Sequence, residues 1–131
     1  MCKPVALITG ASRGLGAALA QTLSSTHHII AVSRTIGALE ALDDQIKKNG
    51  GSSTLAPIDL TDENAVAQLC RSIFERWGKI KLWAHTAIHA APLGPVITID
   101  SKDWEKSITN NVTALTKLIP MVSPLLMEEG K

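Results

Sequence analysis

Gly10, Gly14 and Gly16 stand in the stretch TGASRGLG, residues 9–16, directly after the apolar run VALI and ahead of a long helical pattern. Glycine allows a tight turn and lets the backbone come close to a ligand, while the N–H groups and dipole at a helix N-terminus favour an anion. The spacing is TGxxxGxG, not the G-x-G-x-x-G dinucleotide fingerprint, because Ser12 occupies the place of its second glycine. Isolated glycines would suit an ordinary strand-to-helix turn; three of them after a first strand, at the opening of a βαβ unit, predict a phosphate cradle. Two arginines agree with it. Arg13 sits just before the first helix and Arg34 opens the second, in Ser33-Arg34-Thr35, where a cation opposes the helix macrodipole and gains from a bound anion. The alternative for both is a solvated surface side chain.

The other residues with chemical potential are fewer. His85 with His89, and His27 with His28, have no carboxylate or thiolate at ligand spacing, so no metal site is expected. Asn111 lies on the edge of an apolar stripe formed by Trp104, Ile108, Val112, Leu115 and Ile119. An asparagine there must find partners, in a hydrogen bond between helices or to a loop, or in chemistry. Thr113 and Lys117 are helical neighbours, but an unactivated threonine is a very weak acid and the lysine reads as a solvated charge. The chain has no tyrosine.

Four apolar runs must carry these residues: residues 4–9 (PVALIT), 28–33 (HIIAVS), 53–58 (STLAPI) and 81–85 (KLWAH), each predicted as a strand and each followed by a helical pattern. Leu15, Leu19 and Leu23, with Ala18 and Thr22 beside them, mark the first helix; Ile36, Leu39, Leu42 and Ile46 mark the second. Val66, Leu69, Cys70, Ile73 and Trp77 mark the third, with Thr61 as its N-cap and Asp62 and Glu63 in its first turn. Strands that are apolar nearly throughout, alternating with helices, predict an α/β fold with a doubly wound parallel sheet. Gly50 to Ser53 reads as a turn, and the segment around Pro92, Gly94 and Pro95 as the longest loop.

At 131 residues and 45% hydrophobic, the chain is expected to form one domain over residues 1–131. A net charge of +1, with the two signs interspersed, argues against nucleic acid as a partner. Cys2 and Cys70 show neither metal spacing nor the density of a disulfide scaffold, which predicts a reducing cytoplasm. The apolar run near the amino terminus is too short for a signal peptide or a membrane span.

With these residues in view, the chain resembles the short-chain dehydrogenases/reductases. The resemblance rests on TGxxxGxG, on Asp59-Leu60 after the third strand, on RWGKI before the fourth, and on DWEKSITNNVTA from Asp103 to Ala114. It covers the whole chain, while the chain covers about the first half of that family's Rossmann-type domain. It implies a nicotinamide dinucleotide held by Gly10, Ser12, Arg13, Gly14, Leu15 and Gly16. Dinucleotide folds that take NAD place an acid at the end of the second strand, whereas a basic residue accommodates a 2′-phosphate. Ser33, Arg34 and Thr35, with Arg13, therefore imply NADP over NAD.

In the family Asp59 and Leu60 line the adenine pocket; otherwise Asp59 starts the turn into the third helix. His85-Thr86-Ala87-Ile88 stands in place of the family's Asn-Asn-Ala-Gly, so His85, Thr86 and Ala87 join the cofactor set and Ile88 puts a branched side chain where glycine lets the ribose pass. Asn111, rather than Asn110, matches the asparagine that holds a water of the proton relay. The family's serine and Tyr-x-x-x-Lys have no counterpart in these residues, which end where a fifth strand would start. The resemblance thus implies NADP-dependent hydride transfer on carbonyls or alcohols, with this truncated chain expected to bind cofactor without catalysis. The alternatives are a dinucleotide-binding or regulatory module without chemistry, or a decayed fragment. In the family's strand order 3-2-1-4-5-6-7, the fourth strand would be left with an unpaired outer edge and the Trp104 helix with part of its cover missing. A homo-oligomer, or a second chain completing the fold, is the expected consequence.

Overall fold

Residues Val5–Thr9 form strand β1, and all five are buried. A strand apolar on both sides must be covered on both sides, and two separate apolar clusters do this. Val5 and Leu7 face one cluster with Ile30, Val32, Val66, Ile73, Leu118 and Val122; Ala6 and Ile8 face the other with Ile29, Ala31, Ala20, Leu39, Leu42 and Ile46. The computed structural model describes residues 3–88 and 94–131. Along the chain, α1 (Gly14–Leu23), β2 (His28–Ser33), α2 (Ile36–Lys48), β3 (Ser53–Pro57), α3 (Glu63–Trp77) and β4 (Leu82–His85) follow β1. Helix α4 (Ser101–Ile108), a π-turn (Thr109–Thr113) and α5 (Ala114–Val122) come after them. The strands form one parallel sheet in the order β3-β2-β1-β4. The α/β, doubly wound arrangement expected from the sequence is the observed one, and its carboxyl strand ends, where ligands bind in such sheets, lie beside the glycine turn.

Four local expectations need correction. The buried residues of α1 are Gly16 and Ala20, Leu23 packs against the core as expected, and Leu15 is exposed. The helix lies so close to the sheet that only small side chains fit beneath it. On α2, Leu39, Leu42 and Ile46 are buried as expected, but Ile36 in the first turn is exposed. The N-cap of α3 is Asp62, whose carboxylate accepts from Asn64 N–H and Ala65 N–H, because Thr61 is engaged with Asp59 instead.

The largest departure is in the last helical stretch. A π-turn holds about one residue more than an α-turn, so it shifts the phase of everything after it. Val112 and Ile119, within and after it, are accordingly exposed, the buried side of α5 is Ala114, Leu118 and Val122, and Trp104 and Ile108, which precede the π-turn, are exposed as well.

The outer edge of β4 is also not left open along its whole length. Ile80 N–H donates to Leu125 O and Met127 N–H to Ile80 O; Lys131 N–H then donates to Lys81 O and Trp83 N–H to Lys131 O. A short helical turn over Ser123–Leu125 redirects the chain after α5 and lays it beside the start of β4. No helix among the described residues is long and apolar enough to cross a membrane.

Candidate functional site

The turn from β1 into α1 is held from two sides. Gly10 N–H and Ala11 N–H both donate to Val32 O of β2, at 2.9 and 3.1 Å. On the β4 side, Thr86 N–H donates to Thr9 O at 2.7 Å, and the Thr86 hydroxyl sits 2.9 Å from Thr9 O and 3.1 Å from Gly10 O. Gly10 has φ +86°, and a Cβ there would lie 2.4 Å from Ala87 N. At Gly16 a Cβ would fall 2.1 Å from Gly10 O and 2.5 Å from the Thr86 hydroxyl. Side chains at either position would push helix, turn and β4 apart, so the glycines are required by close approach as well as by backbone conformation.

This packing aims the start of α1 outward from the sheet. Its N-cap residue is Arg13, in extended conformation and with no side-chain cap. The first N–H groups of the helix are thus not satisfied by a capping side chain, and the positive dipole end carries Arg13, Gly14 and Leu15 at the surface. A phosphate-bearing ligand fits this arrangement: bare helix N–H groups, a neighbouring guanidinium, and no side chain on the glycines to hold it off. Ser12 is half-buried in the same turn.

At the end of β2, Ser33 Oγ accepts from Thr35 N–H at 3.3 Å, which shapes the bend in which Arg34 is exposed. Thr35 is the N-cap of α2, so Arg34 precedes that helix instead of belonging to it. At the end of β3, Asp59 Oδ1 accepts from Thr61 N–H at 2.9 Å and from the Thr61 hydroxyl at 2.8 Å. These bonds, chiefly that from the backbone N–H, together with the Arg34 charge outweigh partial desolvation and hold the Asp59 carboxyl below its usual range. Asp59 therefore does start the turn into α3, and it lines a cleft as well. That cleft, of about 450 Å³, is shared by Arg34, Asp59 and Thr61 with Lys102, Glu105, Lys106, Thr109 and Asn110 of the α4 and π-turn stretch. Leu60 borders a smaller cavity of about 70 Å³ between α3 and α5. Lys117, on that cavity's wall, is ion-paired with Glu63.

At the end of β4, His85 pairs with Thr9 in the sheet register. Its Nδ1 lies 2.7 Å from the Thr9 hydroxyl, which also accepts from Trp83 Nε1–H at 3.3 Å. Burial pushes the His85 imidazole below its ordinary pKa, so the ring is held neutral at pH 7. Ala87 packs under Gly10, and Ile88 is 75% exposed. His89 and Pro92 fall outside the described residues, as does Cys2.

Asn111 lies half-buried in the π-turn. Single π-turns within α-helices are frequent where a side chain must be turned toward a site. Asn110 donates from Nδ2 to Lys106 O at 2.8 Å, a bond within its own helix, while lining the cleft.

The glycine turn, Ser33, Arg34, Asp59, His85, Thr86 and Ala87 thus gather at the carboxyl ends of the four strands, while Asn111 lies in the π-turn of the helical layer. Reasoning from sequence missed Thr9 as the hub of the β1–β4 contact, and it missed Lys102 and Lys106 of the cleft. The lysines left a signal, two cations four apart in one helix. Thr9 left none, since its side-chain partners are 74 residues away or more.

Comparison with known proteins agrees with this geometry. The chain is 30% identical over 125 residues to 2,3-dihydro-2,3-dihydroxybenzoate dehydrogenase of Bacillus subtilis, covering 95% of this chain and 48% of that one. Among solved structures it is similar to a metagenomic short-chain oxidoreductase in complex with NADP, with TM-score 0.86, 28% identity and coverage of 95% and 57%. It is likewise similar to an NAD+-bound xylitol dehydrogenase, with TM-score 0.87, 28% identity and coverage of 93% and 47%. The chain spans about half the length of these proteins. With residues 4–131 matched by the short chain dehydrogenase family model, the chain belongs to that family.

Proposed function

We propose that this chain binds NADP in preference to NAD at the carboxyl ends of its strands, in the service of hydride transfer on a carbonyl or alcohol, and that these residues alone bind without turnover. One observation carries the cofactor preference: the stretch that leaves β2, Ser33-Arg34-Thr35, presents an exposed cation and no carboxylate. An acid at this place would receive the ribose 2′-hydroxyl of NAD and repel a 2′-phosphate; a guanidinium attracts the phosphate. Arg13, at the uncapped start of α1, adds a second positive charge. The NADP and NAD+ complexes among the similar structures leave the choice to such residues.

On this reading Gly10, Gly14 and Gly16 give the pyrophosphate close access to the N-terminus of α1, with Ser12 and Leu15 completing the turn. Asp59 and Leu60 take the adenine, and Thr86 and Ala87 hold the floor. When bound, the nicotinamide supplies or accepts a hydride. Asn111 holds a water of the proton relay, but the relay's acid is missing, since the chain contains no tyrosine. Loss of a general acid alone costs ~10²–10⁴-fold in rate.

The test is direct. A charge-assisted contact contributes about 1.5–3 kcal/mol, so Arg34→Ala should weaken NADP by roughly tenfold or more while changing NAD far less. Equal losses for both cofactors would overturn the preference. Turnover of the unaltered chain at an ordinary enzyme rate of ~1–10³ s⁻¹ with any small carbonyl substrate would overturn the second half.

The exposed stripe of Trp104, Ile108 and Val112 supports association, with a second copy or with another chain. Light scattering at micromolar concentration should show species larger than the monomer; a monodisperse monomer would count against it.

A further inference from the structure

We infer that Lys102 and Lys106 of α4 form a second cationic wall for the cofactor's 2′-phosphate, across the cleft shared with Arg34. The inference rests on the NADP reading above and extends it to residues of the helical layer. Arg34 and the two lysines come from segments nearly 70 residues apart, yet they line one cleft of about 450 Å³. That volume lies within the ordinary range for small-molecule sites. Three cations meet two carboxylates there, Asp59 and Glu105. Three positive charges against two negative ones leave the cleft a net positive site. A phosphate monoester carrying close to two negative charges is the complementary ligand.

The placement of the lysines is otherwise unfavourable. Lys102 lies in the first turn of α4, where a cation opposes the helix dipole, and Lys106 lies four residues on, in its last turn, so that the two like charges repel each other. Neither side chain makes a hydrogen bond or ion pair among the described residues. Helix α4 has no buried residue, so its position against the cleft is not enforced by core packing. An anion between α4 and the β2 end relieves the repulsion and ties the helix to the sheet. Lysine suits this role, as a flexible point charge that reaches a phosphate without the fixed fork geometry of arginine.

The experiment is titration calorimetry at low salt with four probes: NADP, NAD, 2′,5′-ADP and 5′-AMP. The unaltered chain is compared with the double variant Lys102→Gln/Lys106→Gln, its charge-keeping counterpart Lys102→Arg/Lys106→Arg, and Arg34→Ala. The glutamine pair should weaken NADP and 2′,5′-ADP about three- to tenfold and leave NAD and 5′-AMP within about twofold. The arginine pair should restore affinity, and the difference should shrink as salt is raised to about 0.3 M. Equal effects on phosphorylated and unphosphorylated probes, or none on either, would overturn the inference. The NADP reading is judged separately, by the unaltered chain's own preference and by Arg34→Ala, so either can fail without the other.

Discussion

The corner built from β1, the glycine turn and β2 differs from the outer elements, β4 at the sheet edge and α4 over the cleft with Arg34 and Asp59, in how much of it the fold encloses. Every residue of β1 is buried, and so are the central four of β2. Every residue of β4 is only half-buried, and α4 buries none. Both regions contribute to the same candidate site. The first holds its geometry by packing on both faces of the sheet. The second relies on a few hydrogen bonds from Thr86 and the final residues, and on whatever ligand or partner covers α4. The glycine turn is therefore held in place by the fold itself, while β4 and α4 depend on further contacts.

Four tests sharpen or break this contrast. Leu7→Ala, at a side chain 1% exposed, should cost about 2–5 kcal/mol of unfolding free energy. Leu82→Ala, at a half-buried position of β4, should cost clearly less; equal losses in urea titrations would erase the distinction between the two regions. Next comes Gly16→Ala. Its Cβ must displace the Gly10 carbonyl, so a loss of roughly 1–3 kcal/mol and a strong drop in dinucleotide affinity are expected. Unchanged affinity in a folded Gly16→Ala chain would mean that the cradle is softer than its contacts imply.

A smaller effect concerns pH. His85 titrates below its ordinary value of 6.5 because it is buried, so the unfolded chain binds a proton that the folded chain does not. That contribution to stability is fully present above pH 6.5 and is lost as pH falls below it toward the folded-state pKa. Chemical denaturation between about pH 7.5 and 5.5 should show the decline, and His85→Asn should flatten part of it. His28, lowered by burial and by Arg76 and Lys3, contributes in the same sense, so the flattening is partial. The smallest effect is expected for Trp104→Ser, at a side chain 58% exposed: monomer stability within about 0.5 kcal/mol, with reduced self-association by light scattering.

The two regions were also unequally legible in the sequence. Glycine spacing and apolar runs are local signals, and they located the strands and the turn from β1 into α1, while the strand order followed from the family resemblance. The inner face of α1 was misread because leucine periodicity says nothing about how near a helix lies to its sheet; the Gly16 contact, which decides this, is tertiary. Thr61 looked like a cap until Asp59 claimed it, a competition between neighbours that spacing does not resolve. The π-turn around Asn111 has no propensity signature, so an unbroken helix put Val112 and Ile119 on the wrong side. The pairing of Lys131 with Lys81 and Trp83 depends on a chain reversal after α5. Lys102 and Lys106 carry meaning only once α4 is seen beside Arg34.

The central claim is that the chain carries a formed NADP site. Its most direct test is calorimetric titration of the unaltered chain with NADP and with NAD under the same conditions. Saturable binding of NADP at least about tenfold tighter than NAD is the result expected from the cations at the β2 end and the α1 start. Binding of neither cofactor, or an equal or higher affinity for NAD, would contradict it.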